Sequence, residues 1–348
     1  MARFEKLISA SETRSGLLVI LFILFYTVLV LSTAFVLVAA AIGAGWVAKT
    51  IRMASTDSMP DDPLGALWDI FFGTRVRIAA SILGAYGVAI LLVLAARASG
   101  PGIILSLCQA RRIGGAEFQV LRDVAQEMSV AAGIPTPSLC VVESPSLNAF
   151  SVGYRNEAVV VVVATGLVER LTRDQLQAVM AHELARIRDG DIGIMTLVSG
   201  LGGPLVFGGK LYMEFGRWTT ESPTGENWSA LGWALLLLLP FVAPVLAASP
   251  IVGRLMQLSI SRERVFMADA EAARLARYPE ALASALEAMA ADTEPVFAAS
   301  RATAHLYVLA PLQGDGTRIG GDGTSAWSAH PPIEDRIARL RSIGNAEG

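Results

Sequence analysis

Between Arg14 and Lys49 the chain runs about 34 residues without a charged side chain, whereas a helix needs roughly 20 to cross a hydrocarbon core. A run of that length is too long for the core of a cleaved signal peptide and reads as a retained anchor. It therefore fixes one thing first: part of this chain lies in a membrane. A second run, Ile78 to Ala96, is bracketed by Arg75, Arg77 and Arg97. A third, 192–209, is rich in glycine and interrupted by Pro204, and a fourth covers 233–252. Paired as hairpins, they place one transmembrane hairpin in residues 1–99. The other, at about 192–252, interrupts the domain that fills 100–348. Composition agrees, with 53% hydrophobic and 17% charged residues where a soluble domain carries about a quarter charged. A net charge of -3 without a basic block argues against nucleic acid as a partner. Cys108 and Cys140, lacking CxxC spacing, suggest neither a disulfide framework nor a thiolate metal site, and fit a reducing compartment.

Beyond residue 100 the pattern is that of a soluble α+β domain with a small sheet. Phe118, Leu121, Val124, Ala125 and Met128 recur at helical spacing, and Gly133 and Pro135 end that helix. Three strand-like runs follow: Ser138–Val142, Asn148–Val152 and Ala158–Ala164. The last is β-branched and continuous, as in a strand covered on both faces, and helices on one side of the sheet are the expected assembly. Thr172 to Asp191 reads as one helix, with Thr172 and Gln175 forming a capping box and Asp174 suiting the positive helix start. Ile260–Leu275 reads as another. Pro279 opens a third with Leu282, Leu286 and Met289 as its buried stripe, and residues 330–343 close the chain as a helix burying Ile333, Ile337 and Leu340. Gly314–Ser328 has the composition of a loop.

Inside the Thr172 helix stands His182-Glu183-Leu184-Ala185-Arg186, one residue away from the zinc-protease motif H-E-x-x-H. That motif works because positions i and i+4 share a helix face, so two imidazoles grip one Zn²⁺ while the neighbouring Glu activates the bound water. Here the second imidazole is an arginine, which keeps its proton and has no lone pair for a metal.

Five segments in order, NAFSVG (148–153), VMAHELARIRDGD (179–191), ISRERVFMADAEAA (260–273), ATAHLYV (302–308) and HPPIEDRIARL (330–340), resemble the HtpX-like membrane zinc metallopeptidases, relatives of the CAAX prenyl proteases. The resemblance spans roughly 115–343 and implies a zincin-type α+β metallopeptidase domain combined with about four transmembrane helices. It makes His182 the first metal ligand and Glu183 the general base. It places Arg186 at the second ligand position and Val265 where the third ligand, a Glu, belongs. It gives His330 and Arg336 to the developing oxyanion, and Asn148, Ala149 and Phe150 to the edge strand that holds peptide substrates; the alternative is that a loop covers that edge. Neither helical neighbour rescues the metal: Asp269 lies about 6 Å further along the axis than Val265, and Asp189 about 10 Å from His182. A rebuilt site would have to recruit His305 or His330.

As the sequence stands no cofactor is expected, although the family uses zinc. The expected function is an inactive pseudoprotease that binds extended or misfolded membrane polypeptides or modulates a partner membrane protein. The rival is an active zinc-dependent metalloendopeptidase of membrane-protein quality control, and a purely structural scaffold is a third alternative. Arg186, one turn from Glu183, would pair with it and spare a stranded buried carboxylate; otherwise it would reach to water and leave Glu183 solvated. The first hairpin is not oriented by charge. Around the second, Arg186, Arg188, Arg254, Arg262 and Arg264 outnumber Lys210 and Arg217, which puts the domain in the cytoplasm, at a bacterial inner membrane.

Overall fold

The computed structural model describes residues 20, 23, 24, 27, 75–115, 117–154, 159–201, 262–296, 299, 303–311, 317 and 330–347. The first apolar run apart from four residues, the end of the third, the whole fourth and, but for Thr317, the 314–328 loop lie outside them. Among the described residues one helix is long and apolar enough to cross a membrane, Ile82–Leu107. It is the greater part of α1 (Arg75–Leu107) and covers most of the second apolar run. The count of four spans therefore stays an expectation. The chain divides into two compact units, Met1–Ser15 with Ala96–Gly203 and Gly253–Gly348, and Gly16–Ala95 with Pro204–Val252.

In the first unit a four-stranded mixed sheet carries the order β1-β2-β4-β3. These strands are β1 (Arg111–Arg112), β2 (Ser138–Val142), β3 (Ala149–Val152) and β4 (Val160–Ala164). β2 runs parallel to β4, and β3 pairs antiparallel with β4 on its other side, Phe150 facing Val162. The expected strand 148–152 begins one residue later because the Asn148 side chain turns inward to bond backbone groups. β4 is buried along its whole length. Val161 and Val163 face the larger core, built with α2 (Gln119–Ala132), α4 (Arg173–Arg188), α6 (Arg262–Ala276), α7 (Pro279–Ala291) and α8 (Ile333–Glu347). The opposite face is not bare: Val160 and Val162 pack with Ile104, Cys108, Met195, Leu306 and Tyr307. Helices on one side was therefore half the answer, since alternate β-branched residues need an apolar cover on both faces.

α4 follows β4 through one short helix, α3 (Thr165–Arg170). Its Thr172 cap and the reciprocal Gln175 contact are both formed, at 3.3 and 3.0 Å. The helix ends at Arg188 rather than Asp191, because Gly190 adopts a left-handed φ of 79° and the chain restarts as α5 (Asp191–Leu201). Leu282, Leu286 and Met289 are buried on α7, and Gly133, with φ 69°, closes α2.

Candidate functional site

α4 is buried along nearly all its core-facing length, so the charged residues of its motif are taken out of water by the helix packing itself. Glu183 is fully buried. Its Oε1 accepts from Arg186 Nη1 at 2.9 Å, and its Oε2 accepts a short hydrogen bond from the Ser151 hydroxyl on β3. Arg186 is 5% exposed and donates also to the Leu306 carbonyl at 2.7 Å, while its other terminal nitrogen lies 2.8 Å from the Met195 sulfur. The guanidinium thus neutralises the carboxylate within the core, and it does not reach for solvent. A buried carboxylate without such a partner is costly, so the pair and the Ser151 hydroxyl act together. Ser151 escaped the sequence reading: a serine in a strand carries no signal until the neighbouring helix is in place.

A second buried network holds His182. Its Nδ1 lies 2.9 Å from Asp269 Oδ1 on α6, although the N–H direction is not well aimed at that oxygen, so the contact is electrostatic more than a directed hydrogen bond. Asp269 in turn receives Arg336 Nε and Nη2, both at 2.7 Å, in the forked geometry that suits a carboxylate. Burial alone would raise the Asp269 carboxyl. The Arg336 charge and hydrogen bonds, with His182, instead hold it well below the usual carboxylate range. The third guanidinium nitrogen of Arg336, Nη1, donates to the Val308 carbonyl at 2.7 Å. Arg336 is wholly buried, and its three nitrogens bind the protein's own oxygens.

His330 is buried and its Nε2 lies 3.2 Å from the Ala304 carbonyl, which only accepts, so that nitrogen carries the proton. Burial first, then the Arg336 and Arg186 charges, lower its pKa to about 3. His305 Nε2 meets the Met195 carbonyl and the Ser199 hydroxyl, both at 3.1 Å, and burial lowers its pKa to about 4. Both rings are neutral at pH 7. Asn148, Ala149 and Phe150 sit at the β3 edge, as expected, but none is exposed. Phe150 makes an antiparallel bridge to Tyr307, Val308 N–H donates to the Ala149 carbonyl at 2.9 Å, and Asn148 Nδ2 donates to the Leu309 carbonyl at 2.8 Å. Residues 304–309 cover that edge.

The donor set does not fit a catalytic zinc. Such a site needs three protein ligands around an open position. Of the three positions, only His182 offers a lone pair; Arg186 offers none, and Val265 packs its methyl groups at the rim of the second apolar cluster. Among the described residues no group of three or more His, Cys, Asp or Glu could hold a metal ion.

A sequence profile for peptidase family M48 matches residues 116–344, about two thirds of the chain. The chain belongs to peptidase family M48. A "Protease HtpX homolog" from Dictyoglomus thermophilum is 39% identical over 243 residues, covering 70% of this chain and 75% of that protein. Another from Pyrococcus furiosus is 34% identical over 254 residues, covering 71% and 81%. The crystal structure of S. mikatae Ste24p aligns with 87% of this chain and 67% of its own, at 17% identity and a TM-score of 0.42. The profile match and the HtpX relatives make the chain an HtpX-like member of the M48 family, and the helix that bears its His-Glu pair carries Arg186 three residues after Glu183.

Proposed function

We propose that this HtpX-like protein is an integral membrane pseudoprotease, which carries no zinc and binds extended or misfolded membrane polypeptides or modulates a partner membrane protein. The observation that supports it is the buried Arg186–Glu183 pair: the residue that should ligate is a cation, and it occupies the carboxylate that should act as base. Without a Lewis acid, a water at this site keeps the high pKa of bulk water instead of falling to about 7, and Glu183 has nothing worth deprotonating. What His182, Asp269, Arg336 and Ser151 do is tie β3, α4, α6 and α8 together, with each buried carboxylate of the two networks facing an arginine. The contact of α4 with α6 through His182 and Asp269 supports an even number of crossings between them, and the arginine excess supports a cytoplasmic domain at a bacterial inner membrane.

Proteolysis of an unfolded membrane polypeptide, with and without added zinc, tests this reading. Wild type should bind the polypeptide and leave it intact. The double variant Arg186→His with Val265→Glu should cleave it in a chelator-sensitive manner, and each single variant should not. Chelator-sensitive cleavage by wild type would favour the rival reading, an active zinc endopeptidase.

A further inference from the structure

The β3 edge has an occupant, and the occupant is held from the site itself. Residues 304–309 bring three alternate carbonyls to three side chains: Ala304 to His330, Leu306 to Arg186 and Val308 to Arg336, at 3.2, 2.7 and 2.7 Å. The same stretch contacts β3 and its flank through the Phe150–Tyr307 bridge, the Val308 amide on Ala149, and both ends of the Asn148 amide on Leu309. The two aromatic rings pack against each other at a tilt of 52°, with centroids 4.8 Å apart. An extended polypeptide pairing with β3 would need these backbone groups, since strand addition works through the edge's free N–H and C=O.

We infer that residues 304–309 are a built-in strap that occupies the polypeptide-binding edge of β3, and that Arg186 is its latch. The inference rests on the polypeptide-binding reading above and says what regulates it. The substitution that empties the second ligand position has a second effect: one Arg186 nitrogen, Nη1, bridges Glu183 and the strap's Leu306 carbonyl, so the helix that would have carried the metal fastens the strap. His330 and Arg336 fasten its other alternate carbonyls. None of these bonds needs a ligand. An incoming chain therefore has to displace the strap, and the ease of displacement is set by a charged hydrogen bond at its centre.

Two measurements test this. The first is amide hydrogen exchange at Val308 and Leu309 in wild type and in Arg186→Met combined with Glu183→Gln, which removes the latch without stranding a charge. Losing a hydrogen bond from a charged donor corresponds to about a 10- to 100-fold change in the opening equilibrium. The strap amides should exchange faster by that factor while those of Val161–Val163 do not change. Arg186→Lys, which keeps the charge but not the planar fork, should fall between and serves if the double variant does not fold. Strap exchange unchanged in a folded variant overturns the latch.

The second measurement locks the strap with Phe150→Cys and Tyr307→Cys, in a chain whose Cys108 and Cys140 are replaced by alanine. Facing residues of a non-hydrogen-bonded antiparallel pair are close enough for a disulfide. Photocrosslinking of an extended apolar peptide should fall at least tenfold on oxidation and return on reduction. Equal crosslinking in both states overturns the strap as a gate. No crosslinking in any form overturns the polypeptide-binding reading and the gate with it, while the exchange rates still judge the latch.

Discussion

Arg336 is the residue whose removal should be felt most, and felt as stability. Its side chain is wholly buried, with two nitrogens on Asp269 and one on the Val308 carbonyl, all at 2.7 Å. Arg336→Met leaves the Asp269 carboxylate in the core with only the poorly aimed His182 contact. Breaking a buried pair by removing one partner costs about 3–5 kcal/mol. In a domain of this size each kcal/mol moves the midpoint by about 2–4 °C, so the expected drop is about 6–20 °C. Arg336→Lys should lose a large part of the same stability, because an ammonium cannot fork across both oxygens. Combining Arg336→Met with Asp269→Leu removes both charges, and its cost should fall well short of the sum of the single costs. Thermal unfolding of detergent-solubilised wild type, Arg336→Met, Arg336→Lys, Asp269→Leu and the double variant reads the five midpoints. A drop below about 3 °C for Arg336→Met, or strict additivity in the double variant, would refute the view that this arginine is an internal anchor.

Acid should destabilise the fold before the carboxylates titrate. His305 and His330 are held neutral, with pKa values of about 4 and 3, whereas the unfolded chain protonates them near 6.5. Between those limits the unfolded state binds more protons, so stability falls as pH falls, by up to about 1.4 kcal/mol per pH unit for each histidine. Asp269, held low, adds its loss only below about pH 4. Flat midpoints between pH 7 and 5 would contradict the neutral buried rings. Gly166→Ala should destabilise by about 1–3 kcal/mol or more, because the new methyl would run into the Pro145 backbone; a neutral result in thermal unfolding would count against that close approach. For orientation, Thr220→Cys and Gly320→Cys should differ in labelling of intact cells, with 220 labelled and 320 protected; the reverse would overturn the cytoplasmic placement.

How far the sequence reached depended on how local each signal was. The Thr172–Gln175 capping box, the Leu282–Leu286–Met289 stripe and the boundaries of β2 were all legible, since each depends on residues within a turn or two. The Arg186–Glu183 pair was legible too, because helical spacing places the two on adjoining turns. Asp269 shows where such reasoning stopped. Its offset along α6 from Val265 argues against a ligand, but the same offset brings it to His182 Nδ1 and Arg336, which only the packing of three helices reveals. The role expected for Arg336, steadying an oxyanion, leads to a residue whose nitrogens bind Asp269 and Val308. Ser151 and the strap over β3 join parts of the chain far apart in sequence, and no local pattern marks such pairings.

The central claim, that the ligand set has been dismantled, is tested most directly by the zinc content of purified wild-type protein, expressed with ample zinc and measured as metal atoms per chain. His182 is the one donor left of the three positions, and one imidazole does not retain zinc through purification. The account predicts zinc far below one atom per chain for wild type, and near one per chain for Arg186→His with Val265→Glu measured beside it. One tightly held zinc per wild-type chain would contradict it.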